Sequence, residues 1–205
     1  QDLYKFLIPF KEKFGEYILE QEILTLTSTH RFNFRFFYED GKLIDSKYPE
    51  ELRKPEIDNL DYSIIATLAK NSRASLKDIA KTNNVQPNVI RYRIEKLKKE
   101  KILGNAVLDI DFKKFGVEQY QIDFTLKNQS SVQKIIDSVS KLPETTFSVV
   151  TLGKYDLAME FAVKNKEALR RILDRIKVEF ADTIISQDIF EMQEHRINWF
   201  PYSLN

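Results

Sequence analysis

The 205-residue chain has no cysteine, only two histidines and no long apolar run, and each shortage removes a class of chemistry. Without cysteine there is no disulfide, no thiolate nucleophile and no cysteine-based zinc site. His30 and His195 are the whole histidine supply, which argues against a histidine-centred catalytic site, so the chain is read as a non-enzyme without metal or cofactor. No stretch approaches the length that crosses a bilayer. The opening QDLYKFLIPFKEK breaks its apolar residues with charges, unlike a signal peptide, and the expectation is a cytoplasmic protein with no membrane partner. The 42% hydrophobic content still allows sizeable cores, and the length allows more than one domain.

Net charge is also small, +1 overall, but it is unevenly spread. Residues 1–56 carry 9 Lys+Arg against 11 Asp+Glu, residues 57–116 carry 12 against 7, and residues 117–205 carry 11 against 13, giving balances of −2, +5 and −2. A basic module between two mildly acidic ones is the footprint of a chain in which one small part contacts phosphates.

Within that module, VQPNVIRYRIEKLKKEK (85–101) carries six basic residues. Pro87 suits a first helical turn, where its missing N–H has no intrahelical partner to lose. Ile90, Ile94 and Leu97 recur at helical spacing and mark the inner side. A rotation of about 100° per residue then puts Asn88, Tyr92 and Lys99 outside, Arg91 and Lys98 on one flank, and Val89 and Lys96 on the other. Lysines alone would read as a solvated face; the preceding sequence changes that reading. Ile57, Leu60, Ile64, Ile65 and Leu68 mark a helix over about 57–70. Ser75 with Asp78 starts another, SLKDIAKTNN, with Leu76, Ile79 and Ala80 inside. Asn84 tolerates the positive φ that the turn before the third helix needs. After that helix, ILGNAVLDID offers a turn at Gly104-Asn105 and an alternating strand, a wing. Three helices and a wing make a winged helix-turn-helix, whose third helix enters the major groove.

Upstream, Leu3, Phe6, Leu7, Phe10 and Phe14 predict an amphipathic helix over 2–15 despite Pro9, and residues 17–38 predict one long or two shorter strands. Glu39-Asp40-Gly41 is a turn signal, and KLIDSKYPEELRKPE reads as an irregular connector. FGEYILEQEILTLTSTHRFNF aligns with FADTIISQDIFEMQEHRINWF after one single-residue gap, with His30-Arg31-x-Asn33 matching His195-Arg196-x-Asn198. This is an internal repeat, and residues 1–48 are expected to be the tail of an upstream domain homologous to the C-terminal one.

From residue 117 the pattern is strand (VEQYQIDFTLK), helix (SSVQKIIDSVSKLP), strands TTFSVVTLG and YDLAMEFAVK around Gly153-Lys154, helix (NKEALRRILDRIKVEF) and strand (TIISQDIFEMQEHRI). The order βαββαβ is the ferredoxin-like arrangement, with both helices on one side of a four-stranded antiparallel sheet. The other face then wants a cover, which a second copy supplies most economically, so a homodimer or higher homo-oligomer is expected. His195 reads as a structural residue at a strand end.

The stretch from Ile57 to Gly116 resembles the DNA-binding domain of the leucine-responsive/asparagine-activator (Lrp/AsnC) transcription regulators. Ile57-Asp58 with Leu60-Asp61, Arg73, Ala80, Pro87, Arg93-Ile94, Leu97 and Glu100 carry the resemblance. Gln86 departs from the family's Ser or Thr cap, and Asn84 and Lys101 stand where the family has Gly. The βαββαβ order that follows also resembles the family's assembly and amino-acid-binding domain, with Leu152-Gly153-Lys154-Tyr155-Asp156 matching its Gly-x-Tyr-Asp turn. The fold class is therefore α+β. Residues 1–48 are a partial ferredoxin-like segment, 49–56 a linker, 57–104 the winged helix-turn-helix, 105–116 the wing strand and hinge, and 117–205 the effector-binding and oligomerisation domain.

The resemblance implies a sequence-specific regulator with double-stranded DNA as partner and an amino acid as effector. The DNA-contact candidates are Gln86, Asn88, Val89, Arg91, Tyr92, Arg93, Lys96, Lys98 and Lys99. Amides at Gln86 and Asn88 suit an adenine edge, and Arg91 a guanine or a phosphate. Tyr92 would stack or touch a phosphate, and the three lysines would meet phosphates. Arg93, nearer the inner side, is assigned a buttressing or backbone role. The effector candidates are Gly153, Tyr155 and Asp156, where Asp156 either pairs with a ligand ammonium or, the preferred reading of a turn aspartate, bonds its own backbone. The alternative is an architectural DNA-binding protein without effector. Haem-precursor decarboxylases resemble the same two-domain layout, but they rely on histidines and arginines near the sheet loops, and the loop at Gly153 has no histidine.

Overall fold

The computed structural model describes residues 2–32, 46–48, 56–106 and 110–193. The chain forms two compact units, one built from residues 1–50 with 112–192 and the other around residues 51–111. No helix among the described residues is long and apolar enough to cross a membrane.

The first unit opens with helix α1 (Asp2–Phe14), which contains Pro9 and passes into a 3-10 turn over Gly15–Tyr17. Strand β1 (Thr25–Arg31) follows. The strand expected over 17–38 is thus shorter at its start: residues 18–24 are irregular, and 33–38 lie outside the described residues together with Glu39-Asp40-Gly41. The connector, expected to be irregular, contains strand β2 (Ser46–Tyr48), which pairs antiparallel with β1. That corrects the sequence reading. A strand of three residues has no alternation to detect, and its existence depends on the hydrogen-bonding edge that β1 offers.

The second unit holds α2 (Asn59–Lys70), α3 (Leu76–Thr82) and α4 (Pro87–Lys99). Each start is fixed locally. Asp58 accepts from the Asp61 N–H at 2.9 Å, and Asp61 accepts in return from the Asp58 N–H, completing a capping box. Ser75 caps α3 by accepting from the Asp78 N–H at 3.1 Å. Pro87 occupies the first turn of α4. Ile64, Ile65, Ile79, Ala80, Ile90 and Leu97 form the core, with Ile57, Leu60, Leu68, Leu76, Ile94 and Ile102 packed around it. Beyond α4 the expected wing strand does not appear among the described residues. Residues 104–106 and 110–111 are irregular and Phe112–Phe115 is a 3-10 turn, while 107–109 lie outside the described set.

The first unit resumes with β3 (Glu118–Leu126), α5 (Val132–Val139), β4 (Thr145–Leu152), β5 (Leu157–Val163), α6 (Lys166–Glu179) and β6 (Ile184–Met192). This is the expected βαββαβ order. The sheet, however, has six strands rather than four, in the order β2-β1-β4-β5-β3-β6, every neighbour antiparallel. The two extra strands come from the N-terminal segment: β1 lies on the outer edge of β4, with Thr29 opposite Val149 and Arg31 opposite Phe147. On β3, Tyr120, Ile122, Phe124 and Leu126 turn to the core shared with Val132, Ile135, Ile136 and Val139 of α5 and Leu169, Ile172, Leu173 and Ile176 of α6. The alternate residues Gln121, Asp123 and Thr125 point to the opposite face. His195 and Arg196 fall outside the described residues.

Candidate nucleic-acid interface

Helix α4 owes its orientation to two left-handed helix endings and one ion-paired cluster. Asn84 has φ of 53°, the Val85 N–H donates to the Ala80 carbonyl and the Asn84 N–H to that of Lys81. This is the Schellman pattern, and it turns the chain sharply from α3 into α4. The same pattern closes α4 at Lys101, φ 58°, with the Ile102 N–H on Leu97 and the Lys101 N–H on Lys98.

The cluster is formed by Arg93, whose Nη1 lies 2.7 Å from Asp58 Oδ2 and 3.0 Å from Asp61 Oδ2. The carboxylates that cap α2 therefore also hold α4. Asp61 is 1% exposed, and a buried carboxylate is tolerated only when paired. The Asp61 N–H, then the Arg93 guanidinium, hold the Asp58 carboxyl below its ordinary value, and Arg93 is correspondingly raised.

Ile90 and Leu97 are buried on the inner face of α4. Gln86, Asn88, Val89, Arg91, Tyr92, Lys98 and Lys99 are exposed, with Tyr92 at 65%, whereas Arg93 and Lys96 are half-buried. Lys96 lies 3.9 Å from Glu100. Gln86, at the cap position, makes no side-chain capping bond. The first turn of α4 carries no acidic residue and its last turn carries Lys96, Lys98 and Lys99, so the positive end of the helix dipole is unopposed and the negative end is complemented. Glu95, exposed in the same stripe as Asn88, Arg91 and Lys99, escaped the sequence reading, which named no acidic residue among its DNA-contact candidates. Its signal was the 88-91/92-95-99 spacing, and its carboxylate can accept a hydrogen bond from a cytosine amino group. The partners of Arg93 were also missed, since they lie more than thirty residues upstream.

In the other unit, the turn at Gly153 is tightly bound. The Asp156 carboxylate accepts from the Leu126 N–H at 2.7 Å, the Thr151 hydroxyl donates to the Tyr155 carbonyl, and Thr125 donates to that of Lys154. Tyr155 is buried and its hydroxyl donates to Asp188, a bond that, with burial, raises the tyrosine pKa. Gly153 has φ of 140°, and a Cβ there would lie 2.8 Å from Leu24 Cδ2 and 3.1 Å from the Ile23 carbonyl oxygen. Lys154 Nζ stands 3.8 Å from Glu20 and 4.0 Å from Glu22. On the sheet face away from the helices, half-buried Glu160 is pushed up to about 7, chiefly by burial, with Arg31 opposing and Asp123 adding to the shift.

Residues 57–98 match the profile of the AsnC-type helix-turn-helix domain. The chain is 29% identical over 133 residues to the regulatory protein AsnC of Escherichia coli strain K12, a span of 64% of this chain and 87% of that one. An uncharacterised HTH-type transcriptional regulator of Pyrococcus horikoshii is 26% identical over 121 residues, 59% of this chain and 77% of its own. The solved structure of Escherichia coli AsnC superposes with a TM-score of 0.58 at 28% identity, covering 69% of this chain and 95% of that one. A transcriptional regulator of Neisseria meningitidis solved as a complex with L-methionine shares the fold, with a TM-score of 0.62 at 15% identity over 73% of this chain and 97% of its own.

Proposed function

The chain belongs to the Lrp/AsnC family of transcription regulators, and from that premise we propose that it reads an operator through α4, assembles through its ferredoxin-like domain and answers to an amino acid there. The observation that carries the DNA reading is the exposed stripe Asn88, Arg91, Tyr92 and Lys99 on a helix whose inner face is locked by Ile90, Leu97 and the Arg93 cluster. Within it, Gln86, Asn88 and Arg91 are the base readers, Tyr92 and Val89 flank them against the groove, and Lys98 and Lys99 meet phosphates. Lys96 reaches a phosphate only by leaving Glu100. Arg93 sets the pitch of the helix against α2. The assembly surface is the sheet face bearing Gln121, Asp123, Glu160 and Phe190, the last 47% exposed, which a second copy covers in a dimer. A ligand that prefers one arrangement of paired domains then shifts DNA affinity by its differential binding free energy.

The amino-acid arm draws on the match of Gly153, Tyr155 and Asp156 to the family turn and on the L-methionine complex of the Neisseria relative. A second reading, an architectural protein with no effector, is favoured by the pairings at that turn, because Asp156 is engaged by Leu126 and Lys154 stands near Glu20 and Glu22. Selection of binding sites from random duplex DNA at two salt concentrations tests the DNA arm. Enrichment of one motif with a steep salt dependence is expected, and salt-dependent binding without a motif would leave only the architectural role. Thermal shift with the twenty free amino acids separates the two readings, since a ligand that binds only the folded state raises its melting temperature.

A further inference from the structure

The turn read above as the effector site is not bare. Its floor is rigid: Asp156 accepts from the Leu126 N–H, Thr151 donates to the Tyr155 carbonyl and Thr125 to that of Lys154. Against that floor lies the irregular segment between the 3-10 turn at Gly15–Tyr17 and β1. Pairing of Thr25 with Leu152 and of Leu26 with Thr151 delivers the segment to the start of the turn, and the Thr27 hydroxyl donates to the Val150 carbonyl at 3.0 Å. Leu24 and the Ile23 carbonyl oxygen then sit so close to Gly153 that a Cβ there would meet them at 2.8 and 3.1 Å.

Two acids of the same segment complete the cover. Glu20 and Glu22 stand 3.8 and 4.0 Å from the Lys154 ammonium, which is the one cation in the sequence Leu152-Gly153-Lys154-Tyr155-Asp156 and lies 5.2 Å from the centre of the Tyr155 ring. A free amino acid carries a carboxylate, and at this turn that carboxylate would seek the same ammonium. The segment therefore presents the acid chemistry of such a ligand, tethered to the chain. Its hold is weak, because the Glu20 and Glu22 side chains are 69% and 41% exposed and exposed pairs at these distances are screened by water. Ile23 is half exposed and Leu19 fully so. Phe32, just past β1, is by contrast buried in the sheet core. A labile cover on a rigid floor opens while the rest of the fold stays closed.

We propose that residues 20–24 are a built-in strap that fills the turn at Gly153 and competes with an amino acid for it. This rests on the reading of that turn as the effector site and adds its regulation. With the strap closed, Glu20 and Glu22 neutralise Lys154, and Ile23 and Leu24 cover the Gly153 backbone. Only the open fraction of molecules binds ligand, so apparent affinity falls by that fraction. Ligand binding in turn favours release of the strap by the same factor.

Two measurements on the full 205-residue chain decide this. Hydrogen exchange at low salt compares the parent with Glu20→Lys and Glu22→Lys combined. Exchange should quicken about fivefold or more in residues 20–24 and 152–156, stay unchanged in β3, and return to within about twofold of the parent rate when Lys154→Glu is added. Unchanged exchange in the strap and the turn would overturn the proposal. Loosening of β3 as well would make the segment part of the frame and equally overturn it. The second measurement is calorimetric titration with each of the twenty free amino acids, comparing the parent with Leu24→Ser, which loosens the cover without altering charge. At least one amino acid should bind the variant about fivefold or more tightly than the parent. Equal affinity for the two chains would leave the effector site standing and remove the strap alone. Binding to neither, with exchange behaving as expected, would remove the effector site and the strap's role together.

Discussion

The helical unit and the sheet domain stay folded by different means, and the contrast follows from what each has to expose. Among the described residues the helical unit centres on six buried side chains, while the sheet core gathers seventeen. The smaller unit makes up the difference with short-range polar devices: a capping box, a serine cap, two Schellman endings and the Arg93 cluster. These devices cost no outer surface, which leaves α4 free to present Asn88, Arg91, Tyr92 and Lys99. The sheet domain buries residues on strands brought together from distant parts of the chain; its buried carboxyl, Asp123, is bonded by the Gln121 amide, whereas the buried carboxylate of the helical unit, Asp61, is held in an ion pair with Arg93. A unit held by few buried residues should respond more sharply to the loss of one.

Ile90→Ala is the most severe test of that contrast. Ile90 is fully buried at the centre of the small core, and truncation of such a side chain costs about 2–5 kcal/mol, a large share of what a unit of roughly fifty residues has. The expected result is a loss of DNA binding with an early melting step for the helices, while the sheet retains its own transition. A single cooperative melt displaced as a whole would show that the units do not stand apart energetically.

Two substitutions on the outer face of α4 refine the division of labour there. Arg91→Ala should lose about 1–3 kcal/mol of discrimination between operator and random duplex, and Lys98→Ala should weaken both about equally and reduce the salt slope by about one. Fluorescence anisotropy on both duplexes across a salt series measures each. Equal losses for Arg91→Ala on the two duplexes would remove it from base reading.

A third test turns on the buried charge of the sheet. The Glu160 carboxyl is raised to about 7 from 4.5, so folding favours its protonated form. Its contribution is complete below about 4.5 and is lost as pH rises through about 7. Asp123 is shifted in the same direction by burial. Replacement of Glu160 by Gln should flatten the stability curve over that window by roughly 1–2 kcal/mol, discounted because water still reaches a half-buried group. Chemical denaturation at pH 5 and pH 8 checks it. An unchanged pH difference in the variant would place the charge burden elsewhere on the face.

How far each unit was legible in the sequence follows from the same contrast. Asp58 with Asp61, Ser75 with Asp78, Asn84 and Pro87 act within a few residues of themselves, so the three helices could be read almost to their ends, whereas the wing strand expected after them does not appear among the described residues. The inner and outer sides of α4 followed from angular spacing, including the position of Arg93 near the core, though its carboxylate partners did not. In the sheet domain the element order was legible from alternation, but strand neighbours were not. Nothing local to Thr25–Arg31 says that it will lie on β4, and nothing near Ser46–Tyr48 says that it will follow. Gly153 could be placed in a turn from its type, but the close passage of Ile23 and Leu24, which makes a side chain there costly, arises only when segments 130 residues apart meet.

The smallest expected effect separates the two Schellman endings. Asn84 and Lys101 both hold positive φ, at 53° and 58°, but asparagine visits that region with little penalty and lysine does not. Glycine at Lys101 removes the crowding of Cβ and adds unfolded-state entropy, which opposes the gain. The balance should stabilise the helical unit by about 0.5 kcal/mol, a rise of roughly 1–3 °C in its own melting step. Asn84→Gly should leave that step nearly unchanged. If Lys101→Gly instead lowers the transition, the lysine side chain contributes more at the end of α4 than its backbone costs, and the ending would be held by contacts like those of the sheet domain rather than by local geometry.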